Sequence, residues 1–108
     1  NQMAELTEKQ LAELKAKYGT VYTLTVPINE DETEFATVYL RKMDRPCFSS
    51  VQKLVQTDSL KAIENLIKTL YVGGDDVTKI TDNFDALHSA EGACLDMIKA
   101  KQGILKKN

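Results

Sequence analysis

The chain has 108 residues, 43% of them hydrophobic, which fits one globular domain over residues 1–108 with a core of modest size. Fourteen Lys and Arg residues stand against sixteen Asp and Glu residues, giving a formal net charge of −2. This balance argues against nucleic acid as a partner, because phosphate-binding surfaces concentrate positive charge. No run of about 20 apolar residues indicates a membrane span, and membrane is not expected as a partner either.

The first predicted element is a helix over residues 4–19. Thr7 and Gln10 have the spacing of a capping box, in which each residue bonds the backbone N–H of the other. Gly19 stands where a helix favours a left-handed residue just past its end. The apolar stripe consists of Leu11, Leu14 and Tyr18. A short amphipathic helix is therefore predicted.

A β-hairpin is predicted over residues 20–41, where the apolar period changes from about 3.6 to two residues. The polar stretch PINEDET supplies the turn, and Pro27 marks a strand end because it lacks a backbone N–H. A hairpin of two strands is marginally stable alone, so helices must cover at least one of its faces.

The rest of the domain, residues 44–102, is predicted to be helical. Asp44 and Asp58 are candidate N-caps for a second and a third helix, and Thr81 or Asp82 for a fourth. The apolar stripes of the three helices are Phe48, Val51, Leu54, Val55; Leu60, Ile63, Leu66, Ile67, Leu70; and Phe84, Leu87, Cys94, Leu95, Ile98. The predicted fold class is α+β, with an N-terminal helix, a β-hairpin and three α-helices packed on it.

The stretch LYVGGDD at residues 70–76 raises the question of a ligand site. Paired carboxylates can hold Mg²⁺, but the glycines follow a predicted helix and the hairpin offers no obvious third carboxylate. Neither phosphate-binding glycine motif is present. The favoured interpretation is that Gly73 or Gly74 adopts positive φ to end the third helix, while Asp75 and Asp76 are solvated loop residues.

Nucleophilic catalysis is poorly supported by the sequence. His88 is the single histidine, and Cys94 lies six residues further along the same predicted helix, on another side of it. Cys47 and Cys94 are predicted to be buried free thiols. The aromatic residues Tyr22, Phe35 and Tyr39 are assigned to core packing in preference to base stacking. We predict a protein that is not an enzyme, without catalytic, cofactor-binding or metal-binding residues.

Two stretches, VYLRKMDRPCFSSV and LIKTLYVGGDDVTKITDNFDAL, carry a resemblance to a known family. A strand ending in Tyr-Leu-Arg-Lys, an arginine at the start of the next helix, a Gly-Gly-Asp and an Asp-led helix resemble small tail assembly chaperones of long-tailed phages and prophages. The resemblance spans residues 20–102. Pro46 and Cys47 depart from a charged pair that the family has after the arginine. The matching residues are Tyr39, Leu40, Arg41, Lys42, Arg45, Gly73, Gly74, Asp75, Asp82 and Phe84.

The resemblance implies a non-enzymatic protein of the bacterial cytoplasm that keeps the helical tape measure protein soluble during tail assembly. A second copy of the chain, in a homo-oligomer, is the other partner to consider. Such a chaperone needs apolar helix surface beyond its own core, since partner helices are held in apolar grooves. The candidate partner-binding residues are Phe48, Val51, Val55, Tyr71 and Val72. Two alternatives stay open at this point: a structural phage component, such as a head–tail connector or tail subunit, and an unrelated small cytosolic adaptor.

Overall fold

A computed structural model describes residues 6–98 and 103–108 of the chain. The structure combines helices with a three-stranded antiparallel sheet, which confirms the predicted α+β class. The elements are α1 (Glu8–Tyr18), β1 (Val21–Pro27), β2 (Phe35–Arg41), α2 (Arg45–Val55), α3 (Ser59–Leu70), β3 (Tyr71–Gly74), α4 (Thr78–Thr81) and α5 (Phe84–Ile98).

Helix α1 begins as its capping box predicts. The Gln10 backbone N–H donates to Thr7 Oγ1 at 3.2 Å, and the Thr7 N–H donates to Gln10 Oε1 at 2.9 Å. Gly19 ends the helix at φ 83°, a conformation that glycine adopts without steric cost. The prediction of a helix over residues 4–19 is thus confirmed from residue 8 to residue 18, and residues 4–5 lie outside the described part.

The predicted hairpin is also confirmed. Strands β1 and β2 pair antiparallel from Val21 opposite Arg41 to Pro27 opposite Phe35. In the turn, Asn29 Oδ1 accepts the backbone N–H groups of Thr33 and Glu34 at 3.0 and 3.1 Å. The Asn29 side chain thus accepts backbone N–H groups that have no partner in the β-ladder. These bonds stabilise a turn that contains no glycine.

The structure adds a strand to the part of the chain, residues 44–102, that was predicted to consist of three helices and their connections. Helix α3 ends at Leu70, before the glycines, and the chain passes directly into β3, which pairs antiparallel with β2. Gly74 does have positive φ, at 101°, but it is the last residue of strand β3 and does not end a helix. A Cβ at Gly74 would stand 2.5 Å from the backbone oxygen of Thr37, so close strand contact requires glycine here.

The C-terminal helical part differs from the prediction at its start. A one-turn helix, α4, precedes α5, and the capping bond of α5 comes from Asn83, whose Oδ1 accepts the Ala86 N–H at 3.2 Å. Thr81, one of the two residues predicted to cap this helix, is instead buried in α4, and Asp82 follows α4. Residues 99–102, the predicted end of the helix, lie outside the described part.

The hydrophobic core lies between one face of the sheet and helices α2, α3 and α5. Both cysteines are buried and free, as predicted. Six large side chains of this core have less than 2% of their surface exposed: Leu40, Ile63, Leu66, Ile67, Leu70 and Ile80. Helix α1 approaches the opposite face, where Leu6 and Leu14 lie over Gly73.

Candidate partner-binding surface

The two aspartates after the glycines have different roles. The Asp75 carboxylate is buried and accepts the Thr37 backbone N–H at 2.8 Å, while its own N–H donates to the Thr37 oxygen at 2.8 Å. Asp75 therefore extends the pairing of β2 and β3 by one residue, and the prediction that it is solvated is wrong. Lys79 Nζ lies 3.8 Å from the same carboxylate.

Asp76 is exposed, as predicted. Its Oδ1 accepts the Thr78 backbone N–H at 3.0 Å and the Thr78 hydroxyl at 2.8 Å. These bonds hold the pKa of the Asp76 carboxyl below its usual value, because they favour the charged form. The residue thus fixes the start of α4, and the Gly-Gly-Asp-Asp stretch as a whole joins a strand to a helix.

The residues that sequence reasoning weighed for catalysis do not come together. His88 is exposed on α5 and stacks with Phe84, with ring centroids 5.7 Å apart. Cys94 is buried on the same helix, and burial raises the pKa of its thiol to about 11, so the thiol is protonated at neutral pH. Burial likewise raises the pKa of Cys47. Among residues 6–98 and 103–108, no group of three or more His, Cys, Asp or Glu is placed to hold a metal ion.

The three aromatic residues that were weighed for base stacking, Tyr22, Phe35 and Tyr39, share no common surface. Tyr39 is 5% exposed and accepts the Leu6 backbone N–H on its hydroxyl at 3.2 Å. Core packing describes Tyr39 correctly, but Tyr22 and Phe35 are 41% and 47% exposed, which corrects the assignment for both. Tyr22 also lies on the face of the sheet opposite to Phe35, since the strand alternates its side chains.

The five predicted partner-binding residues are distributed over α2 and β3. Val51 is 1% exposed and belongs to the core, so it offers no surface to a partner. Val55 and Tyr71 are half-buried and pack against the core, while Phe48 and Val72 are half-buried. The Tyr71 hydroxyl donates a hydrogen bond to the backbone oxygen of Asp75 at 3.0 Å, which directs the ring toward the residues that follow β3.

Helix α2 is placed by the polar groups at its start. Asp44 Oδ1 accepts the Cys47 backbone N–H at 3.0 Å, and Arg41 Nη1 lies 3.3 Å from the Asp44 carboxylate. The bond from Cys47 is the main reason that the pKa of Asp44 lies below its usual value, with the arginine charge adding to it. Because Cys47 and Val51 then turn into the core, the side of α2 that carries Ser49, Gln52 and Gln56 faces solvent.

A groove of about 450 Å³ lies between α2 and the C-terminal end of α5. Two aliphatic side chains, Val55 of α2 and Ile98 of α5, are half-buried in it. Its polar lining residues are Ser49, Gln52, Lys53 and Gln56, all exposed. An apolar base inside a polar rim is the usual composition of a protein-binding surface.

Two further apolar side chains lie outside the groove, on the sides of the two helices that carry Val55 and Ile98. Phe48 lies seven residues before Val55, which places both on one side of α2. Leu95 is 50% exposed and lies three residues before Ile98, on the same side of α5. We call Phe48, Val55, Leu95 and Ile98 the α2–α5 strip. Leu95 and Ile98 were predicted as part of the apolar stripe of the fourth helix but not as partner-binding residues, because a helical stripe alone does not separate core residues from residues at its margin.

No helix in residues 6–98 is long and apolar enough to cross a membrane. Comparison of the chain with protein-family models, curated proteins and solved structures gives no significant match.

Proposed function

We propose that the protein is a non-enzymatic tail assembly chaperone of a long-tailed phage or prophage, which binds the helical tape measure protein in the bacterial cytoplasm. The observation that carries the proposal is the α2–α5 strip. Helix surfaces of this composition hold amphipathic partner helices through a few apolar anchors at helical spacing. The resemblance of residues 20–102 to such chaperones supplies the identity of the partner.

The groove suits one side of a partner helix and would leave the rest of that helix exposed. Its apolar base, formed by Val55 and Ile98, can receive an aliphatic side chain. Lys53 is the charged residue among its lining side chains and favours an acidic residue on the partner. A contact of this size is weak at a single site, which suits a chaperone that the assembling tail tube must displace.

The proposal predicts a long helical reading frame beside the gene, and the test is co-expression of the protein with the product of that frame. We expect the tape measure product to remain in the soluble fraction only when the protein is present. The Leu95→Glu variant should lower the affinity for that product about tenfold or more, because it places a charge in the apolar contact. Leu95 is half-exposed in the free protein, so the variant is expected to fold.

The matched control is Phe84→Glu. Phe84 is an exposed large side chain on the same side of the same helix, 65% exposed and three turns from Leu95. This variant should bind as the unchanged protein does. Equal loss in both variants, or no effect of the protein on solubility, would contradict the proposal.

Purified virions separate the chaperone from the structural alternatives. A chaperone is released before the tail is complete and should be absent from virions, whereas a connector or tail subunit should be present in them. Detection of the protein in virions at a stoichiometric level would favour the structural component.

A further inference from the structure

Strand β1 forms one edge of the sheet, because the strand order is β1-β2-β3. It is seven residues long and regular, and residues 20–27 carry no charged side chain although 28% of the whole chain is charged. Thr23 and Thr25 are exposed, and Tyr22 is 41% exposed. An edge of this length without lysine, bulge or internal proline is a template for pairing with another strand.

The pairing of β2 shows which β1 residues have unpaired backbone groups. Thr37 directs its N–H and C=O toward Asp75, on the β3 side. Thr25 stands opposite Thr37, so the two form a non-hydrogen-bonded pair, and Thr25 directs its backbone groups away from β2. By alternation, Val21 and Thr23 also point outward. Within the described residues, no hydrogen bond reaches the backbone groups of these three residues on the outer edge.

The other edge of the sheet is protected. Strand β3 has four residues, two of them glycine, and its pairing with β2 is irregular between Tyr39 and Leu40. Gly74 has positive φ, and the chain then turns into Asp75, whose side chain occupies the last pairing position. Short length and irregularity are the devices that stop a strand from pairing further. The two edges therefore differ, and only β1 lacks such devices.

We infer that β1 is a self-association edge, at which two copies of this chain pair antiparallel about a two-fold axis at Thr23. In this register Val21 stands opposite Thr25 of the second copy, and all three outward N–H groups on each strand find an acceptor. Pro27, which has no N–H, falls outside the paired stretch. A shift by two residues would bring Pro27 into the ladder and lose a hydrogen bond.

The same register covers the exposed tyrosine. Tyr22 stands opposite Leu24 of the second copy, on the face of the sheet that carries the core, so the apolar layer continues from one copy into the next. A two-fold antiparallel pair needs a strand that complements itself, and an uncharged strand of β-branched residues meets this condition. The product is one continuous sheet of six strands. This inference stands independently of the proposed function.

Reciprocal charges at Thr23 test the inference. Sedimentation equilibrium should give the unchanged protein a mass of about twice the 12.1 kDa of one chain. Thr23→Lys and Thr23→Glu should each give the mass of a single chain at the same concentration, because the axis places two like charges directly opposite. An equimolar mixture of the two variants should recover the double mass. Thr69→Lys, an exposed threonine on α3, is the control and should leave the double mass intact.

Exposure of Thr23 means that both variants should fold, and circular dichroism verifies this. A single-chain mass for the unchanged protein would overturn the inference. So would an undiminished mass in either variant, or a mixture of the two that stays at the single-chain mass.

Discussion

Two adjacent glycines illustrate how strongly position decides the role of a residue. A Cβ at Gly73 would meet the side chains of Leu6 and Leu14 at 3.8 and 3.9 Å, which is ordinary contact. A Cβ at Gly74 would meet backbone atoms of Thr37 and Val38 at 2.5 and 2.9 Å, and its φ of 101° disfavours any other residue. The sequence predicted positive φ at one of the two glycines, and only the pairing with β2 decides which.

We therefore expect Gly74→Ala to lower the free energy of unfolding by about 2–4 kcal/mol, since it adds backbone strain and forces the strands apart. Gly73→Ala should change that free energy by less than about 0.5 kcal/mol, because nothing at this position has to move. Urea unfolding monitored by circular dichroism measures both. Similar losses for the two variants would show that β3 is not paired as described.

Asp75 shows why a sequence pattern fails for a buried carboxylate. An aspartate after two glycines is typical of a solvated turn, and its neighbour Asp76 is one. Asp75 instead accepts a backbone N–H from a residue 38 positions earlier in the chain. A hydrogen bond between residues so far apart produces no local periodicity and no capping pattern. The contact between Thr37 and Asp75 therefore could not be predicted from the sequence.

At the scale of elements, the local signals predicted helices and the hairpin well. Thr7, Asp44 and Asp58 all accept the predicted backbone N–H groups, and α1, α2 and α3 begin beside them. The third strand was missed because its four residues follow a helix without a break and contain no alternation. Its formation depends on the open side of β2, which only the folded hairpin provides.

The Asn83 side chain makes one hydrogen bond to the start of α5 and another to the residue after β1. Two different substitutions distinguish the contributions of these bonds. Asn83 Oδ1 accepts the Ala86 N–H at the start of α5, and Asn83 Nδ2 donates to the Ile28 oxygen in the hairpin at 2.8 Å. Asn83→Ala should lower the free energy of unfolding by about 1–3 kcal/mol through the loss of both bonds. Asn83→Asp keeps the cap acceptor and loses the donor, so its loss should be smaller. Thermal or urea unfolding checks the order, and a loss for Asn83→Asp as large as for Asn83→Ala would contradict a role of the cap.

At the scale of the whole molecule, burial decides which predicted partner residues remain available. Val51 was predicted for the partner surface and lies in the core, while Val55 reaches the α2–α5 groove. Both valines belong to the apolar stripe of α2. The centre of such a stripe packs into the core of a small domain, while residues at its margin stay accessible at the groove. The α2–α5 strip and the β1 edge share no residue, although α5 packs against β1.

The most direct measurement of the central proposal is backbone hydrogen exchange, with and without a helical segment of the proposed tape measure partner. We predict slower exchange in the second half of α2, which includes Gln52 and Val55, and near Ile98 in α5, with β1 unchanged by the segment. Ordering of a partner helix against the groove reduces local opening there. Slower exchange confined to other elements, or no change at all, would contradict the assignment of this groove to a tape measure helix.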